Sequence, residues 1–280
     1  MMCAATLCFA GLDTSAKLLS GVLPAVEIVW ARYLAAAIFG LIAARPILRP
    51  AVLRSRRPLM QIGRSMLLLV ATITNFLALR QMQLAETSTI NFLSPLFVVL
   101  LAGPLLGEWP GRARLGAVAI GFAAILFALR PGTSAFQPVA AFAVAGVLVG
   151  AGYPLLTRVL VRSDPSETTL VWTPIAGVAL LTPILPLLWV NPPDLATLAV
   201  MAAMGVFAGL GHWLLILAHH RAPAPILAPF AYTQLIWMIA SGLLVFGDAP
   251  SGSILLGAGV VIGCGLYLIW RERARAPAAR

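Results

Sequence analysis

The chain has 280 residues, of which 61% are hydrophobic and only 10% charged, with a mean hydropathy of +0.97. A water-soluble surface takes roughly 25% charged residues, so this composition excludes a soluble globular domain and leaves lipid as the solvent. The formal net charge of +10 is no nucleic-acid footprint either: every basic residue but Lys17 is an arginine, and most arginines fall in short connections between apolar runs, where they act as topology signals.

Backbone polar groups need internal partners in lipid, so each run long enough to span, about 20 residues, is expected to be helical. Ten helices are expected, at roughly 2–22, 25–44, 60–80, 84–106, 113–130, 136–157, 167–190, 195–219, 224–246 and 252–270. They use most of the chain, which predicts one all-α integral membrane domain over 1–280. The first helix carries Asp13 and Lys17, four residues apart and therefore on one face. Counted from the helix ends, Asp13 lies about 13 Å deep and Arg32, in the second helix, about 12 Å deep. Charges at membrane depth are by default functional or paired. Two readings stay open: Asp13 binds a substrate amine or takes up a proton, or it forms a buried pair with Arg32 or Lys17 that locks the helices together.

Asn75 in the third helix and Asn91 in the fourth put amides at membrane depth. Tyr153 in the sixth precedes Pro154, which predicts a kink of the kind that marks transporter binding sites. His212 in the eighth helix and Tyr232, Gln234 and Trp237 in the ninth bring further polar and aromatic groups inward. A shared polar cavity accounts for them, and so does interhelical hydrogen bonding at about 0.6 kcal/mol each. Cys3, Cys8 and Cys264 lie in apolar runs without paired spacing, so neither a disulfide nor a metal site is expected. The chain has no HExxH, Gly-x-Ser-x-Gly or phosphate-cradling glycine motif. Neither an enzyme nor a cofactor is expected.

The arginines orient the chain. Arg45, Arg49, Arg54, Arg56 and Arg57 follow the second helix, with Arg64 just inside the third. Arg112 and Arg114 follow the fourth helix, Arg162 the sixth, Arg221 the eighth, and Arg271, Arg273, Arg275 and Arg280 the tenth. The opposite connections hold only Arg80 and Arg130. Basic loops stay cytoplasmic, so both termini are expected inside.

The chain also repeats itself. Gly107-Glu108-Trp109-Pro110 aligns with Gly247-Asp248-Ala249-Pro250 at an offset of 140, and Ala10-Gly11, Lys17 and Pro24 align with Ala151-Gly152, Arg158 and Pro165 at 141. The repeats cover approximately 1–130 and 141–270. Each unit has five spans, and an odd number forces the second copy to sit upside down relative to the first. Two inverted halves are the architecture of alternating-access transporters, with the substrate near the midplane.

The stretch Leu93-Ser94-Pro95-Leu96 … Leu105-Leu106-Gly107-Glu108, followed by a glycine-spaced helix, resembles the signature of the EamA-type branch of the drug/metabolite transporter superfamily. Phe9-Ala10-Gly11-Leu12-Asp13 with Lys17, and the later Arg32, resemble that family's first two helices. The resemblance implies a carrier in the bacterial inner membrane, often an exporter of amino acids or related metabolites. The expected function is therefore secondary transport of small organic metabolites, first of all amino-acid export. The alternative is a nucleoside-like or sulfonium metabolite or an amphiphilic drug, ahead of a channel or a subunit of a membrane complex. The partners are then a small-molecule substrate and the lipid bilayer, with protons as a candidate coupling ion, and with no nucleic acid and no obligatory protein partner. The expected cavity residues are Asp13, Lys17, Asn75, Asn91, Tyr153, His212, Tyr232, Gln234 and Trp237, with Arg32 as a buried charge partner.

Overall fold

The structure is a computed structural model that describes residues 1–44, 50–107, 111–129, 138–160, 163–221, 230 and 233–275. Among them every regular element is helical. Five helical stretches are long and apolar enough to cross a membrane: Met2–Ser20, Ala25–Ala43, Pro58–Leu79, Val139–Thr157 and Leu195–Leu215. Shorter apolar helices accompany them. Large apolar side chains such as Ile42, Leu187 and Leu244 point outward, where lipid takes the place of a protein partner. The chain is a multi-pass membrane protein.

In chain order, α1 is Met2–Ser20, α2 Ala25–Ala44 and α3 Pro58–Leu79, the last opened by a proline whose missing N–H costs nothing at a helix start. The expected span 84–106 is broken into α4 (Leu84–Asn91) and α5 (Ser94–Leu106), and then α6 follows over Arg112–Leu129. The expected span 136–157 is likewise α7 (Val139–Gly150) and α8 (Gly152–Leu160). Both breaks have one cause. Pro95 and Pro154 each follow, by four residues, the last residue of the preceding helix, where a proline ring crowds the carbonyl and offers no N–H. The expected span 167–190 is three pieces, α9 (Ser166–Trp172), α10 (Ile175–Leu181) and α11 (Leu185–Leu188), interrupted at Pro174 and Pro183. Helix α12 runs Leu195–Arg221. The first residues of the expected ninth helix lie outside the described residues. Its remainder is α13 (Thr233–Ser241), which ends in a π-turn over Gly242–Phe246, and α14 is Gly252–Arg275.

Helix α1 packs along α12, α3 along α7 and α8, and α6 along α14. Helix α2 lies against α9, α10 and α12, while α13 touches both α1 and α4. One buried cluster joins α1, α2, α3, α12 and α13 through Leu12, Ile28, Tyr33, Phe76, Met204 and Met238. A second joins the last turn of α3, through Ala78, to α5, α6, α7 and α14 through Leu96, Ile125, Ala143 and Val261. Glycines close several helix crossings, those of α1 on α12 and of α8 on α3 among them. A Cβ at Gly11 would stand 3.0 Å from the Phe207 ring, and one at Gly152 would stand 2.9 Å from Leu67.

Candidate functional site

The polar residues of α1 divide by what they can reach. Thr14 and Ser15 donate to carbonyls of their own helix, to Ala10 at 2.7 Å and Gly11 at 2.8 Å. The Asp13 carboxylate, 6% exposed, is left to face other helices. Asn75 of α3 donates through Nδ2 to Asp13 Oδ1 at 3.4 Å, and Asn91 of α4 donates to Asn75 Oδ1 at 3.1 Å. A chain of amides thus runs from α4 through α3 to the acid on α1. Proline-induced termination of α4 at Asn91 places that amide at a helix end.

Arg32 comes from α2 toward the same region. It donates to Thr72 Oγ1 at 3.3 Å, the Tyr33 hydroxyl lies 3.2 Å from that oxygen, and the guanidinium sits 5.5 Å from the Phe76 ring centroid. No carboxylate lies within ion-pair distance of Arg32 among the described residues. The expected Asp13–Arg32 pair is therefore not closed: the acid is held by an amide and the base by a hydroxyl and a ring.

Lys17 corrects the second expected pair. Its Nζ stands 2.7 Å from Asp248 Oδ2 and 4.6 Å from the Phe246 ring centroid, so it leaves Asp13 for a partner 231 residues away. The π-turn brings Asp248 there. Gly247 caps it with φ 70°, the left-handed region that glycine enters without strain, and the Asp248 N–H donates to Gly242 O at 3.0 Å.

The sequence reading missed Arg64. It is 1% exposed, the bulkiest of the fully buried side chains, one turn and a half inside α3. It donates to Thr157 Oγ1 at 3.2 Å, the Thr169 carbonyl at 2.7 Å and Thr173 Oγ1 at 2.6 Å, with its guanidinium 4.8 Å from the Tyr153 ring centroid. Helices α3, α8 and α9 are stapled by one cation. The available signal was the polar stripe Gln61, Arg64, Ser65, Thr72 and Asn75, spaced by threes, fours and sevens along α3. Beside it, Asp164 accepts from the Ser55 hydroxyl, the Arg56 N–H at 2.9 Å and Gln61 Nε2 at 2.9 Å. Burial alone raises the Asp164 carboxyl, but these hydrogen bonds and the Arg56 charge outweigh it and hold it below the ordinary carboxylate value.

The other expected residues are more scattered. Half-buried Tyr153 serves as the ring under Arg64. His212 meets Phe9 edge-on at 5.1 Å. Trp237 packs in the cluster around Leu69 and Phe76, and its Nε1 is buried without an acceptor among the described residues. Gln234 is half-buried on α13, next to Thr233, whose hydroxyl lies 2.8 Å from that of Thr6. Tyr232 lies outside the described residues.

Comparison with known proteins adds the family. The sequence profile of the EamA-like transporter family matches residues 1–130 and again residues 137–271. A riboflavin transporter of Rhizobium johnstonii is 33% identical over 191 residues, which is 66% of this chain and 62% of that protein. An S-adenosylmethionine uptake transporter of Rickettsia conorii is 24% identical over 224 residues, 79% of this chain and 75% of that one. A solved crystal structure at 19% identity covers 98% of this chain and 99% of its own, with a TM-score of 0.65, and shares the fold. With its apolar helices and its two matches to one profile, the chain belongs to the EamA-like transporter family.

Proposed function

We propose that this protein is a secondary transporter of nucleoside-like or sulfonium metabolites in a bacterial inner membrane, working by alternating access between two inverted five-span halves. The names of the relatives, riboflavin and S-adenosylmethionine transporters, favour this substrate class over the amino acids expected first. Ten spans with both termini cytoplasmic follow from the apolar runs and the arginine distribution.

The observation that carries the mechanism is an exchange relation in the packing. Helix α1 packs on α12 as α7 and α8 pack on α3, and α1 meets α13 as α7 and α8 meet α4 and α5. Swapping the halves turns each contact into the other, while α6 on α14 and α4 on α13 map onto themselves. Gly107 and Gly247, aligned by the internal repeat, both have positive φ, at 73° and 70°. This supports a two-fold relation between the halves. The Asp13–Asn75–Asn91 chain, Arg32 and Tyr153 are the proposed cavity lining. Lys17 and Asp248 hold one end of the bundle closed.

The test is counterflow in proteoliposomes, with riboflavin, S-adenosylmethionine and a panel of amino acids as internal solutes. Accumulation driven by either heteroaromatic solute supports the proposal. Accumulation driven only by amino acids restores the first expectation. Cysteines at the two ends of the cavity should label reciprocally, and simultaneous labelling under every condition would sink alternating access.

A further inference from the structure

Helices α6 and α14 pack along each other, tightly at one end and openly at the other. A Cβ on Gly257 of α14 would stand 2.6 Å from the Ala128 Cβ and 3.1 Å from the Ala124 carbonyl oxygen of α6. A Cβ on Gly116 or Gly263 would meet nothing within 4 Å. A groove of about 510 Å3 lies there, with Gly116 and Ile120 on one wall and Val260, Gly263 and Tyr267 on the other. Ile120, Val260 and Tyr267 are exposed, so the groove faces lipid.

Both walls end in arginine. On α6, Arg112 stands one turn before Gly116 and two before Ile120, along the same helix face. On α14, Arg271 donates to the Tyr267 hydroxyl at 3.3 Å, which holds its guanidinium at the mouth of the groove. Fourteen residues on from Gly257 is Arg271, and the same count back from Ala124 and Ala128 reaches the start of α6. The antiparallel register therefore sets Arg271 across from Arg112. The chain there reads Arg271-Glu272-Arg273-Ala274-Arg275, three bases to one acid, and the first N–H groups of α6 add the positive end of its dipole. Exposed Trp270 lies beside Tyr267, ring centroids 6.2 Å apart, an aromatic pair of the kind found at headgroup level. From Arg112 to Ile120 is about 12 Å of helix and from Val260 to Arg271 about 16 Å. Either length is close to one leaflet of a hydrocarbon core about 30 Å thick.

We propose that this groove binds one anionic phospholipid of the cytoplasmic leaflet, an acyl chain between the glycine walls and the phosphate between Arg112 and Arg271. The site goes beyond the transport reading and takes from it only the membrane orientation. A guanidinium on each side offers the phosphate forked, charge-assisted donors, and basic pockets between membrane helices on the cytoplasmic side suit anionic headgroups. A second copy of the chain fits the groove less well. A two-fold contact presents the same patch from both sides, which sets the arginines of one copy against those of the other.

The test is native mass spectrometry of the full-length protein in detergent, with equal amounts of dioleoyl phosphatidylglycerol and dioleoyl phosphatidylcholine. One retained lipid is expected, with the anionic one favoured about thirtyfold. Arg112→Gln and Arg271→Gln should each lower that preference about fivefold. Gly263→Leu fills the groove without changing charge and should abolish retention of either lipid. Arg112 is exposed and Gly263 meets open space, so these two variants keep the test decisive should Arg271→Gln not fold. Equal retention of the two lipids, or a preference unchanged in both arginine variants, overturns the headgroup site. Retention unchanged in Gly263→Leu overturns the groove, and a protein dimer lost in that variant, with no lipid retained by the wild type, replaces the lipid with a second copy. Counterflow tests the transport reading separately from all of these outcomes.

Discussion

The bundle holds two cation sites built on opposite rules. Lys17 meets an acid at 2.7 Å with side chains 16% and 28% exposed, so water can replace either partner. Arg64 meets no acid among the described residues, is 1% exposed, and is held by neutral acceptors on two other helices. A matched, half-wet pair is weak and exchangeable. A dry cation in a cage of hydroxyls cannot let go without leaving a charge in apolar surroundings. The first suits a contact that forms and breaks during a cycle, the second one that persists.

The largest expected effect tests the second site. Arg64→Met should cost about 3 kcal/mol, about 1 for each of the Thr157, Thr169 and Thr173 oxygens that loses its donor. Thermal unfolding in detergent measures it, and a loss below about 1 kcal/mol would show that the cage does not depend on its charge. Thr173→Val removes one acceptor and should cost about 1–3 kcal/mol, unchanged in high salt because the site is dry. At the other site, a double-mutant cycle of Lys17→Met and Asp248→Asn should give a coupling of about 1 kcal/mol that shrinks in 1 M salt. A salt-insensitive coupling would erase the contrast between the two sites.

The smallest effect is a pH dependence at Asp164. Its carboxyl is held below the ordinary value, so its contribution is present above the unfolded pKa of about 3.9 and is lost as pH falls through the lower folded value. Below about pH 4 the unfolding temperature of the wild type should drop more steeply than that of Asp164→Asn. Parallel curves would mean that the Ser55, Arg56 and Gln61 contacts do not hold the charged form.

Much of the helical pattern was legible because lipid imposes one rule on every apolar run. The breaks were less so: hydropathy averages over Pro95, Pro174 and Pro183, although each proline individually marks where a helix stops. Arg64 was misread because counting basic residues near a helix end assigns them to loops, and only the polar stripe on α3 tells that this one points inward. The partner of Lys17 could not be read locally. An i to i+4 spacing made Asp13 the natural candidate, and nothing short of the tertiary fold brings Asp248 across 231 positions. The chain of amides from Asn91 to Asp13 depends on helix crossings that periodicity does not fix.

The close crossings at Gly11 and Gly152 have a mechanical consequence. With no side chain between them, α1 bears almost directly on Phe207 and α8 on Leu67, and in the proposed rocking motion each contact would act as a fulcrum. Lys17 lies six residues beyond Gly11, a lever arm of about 9 Å. Rocking α1 by about 10° about that point swings the ammonium through about 1.6 Å, from hydrogen-bond contact with Asp248 to beyond reach. A tilt that small can leave the neighbouring side chains interlocked, so one end of the bundle unfastens without either half repacking.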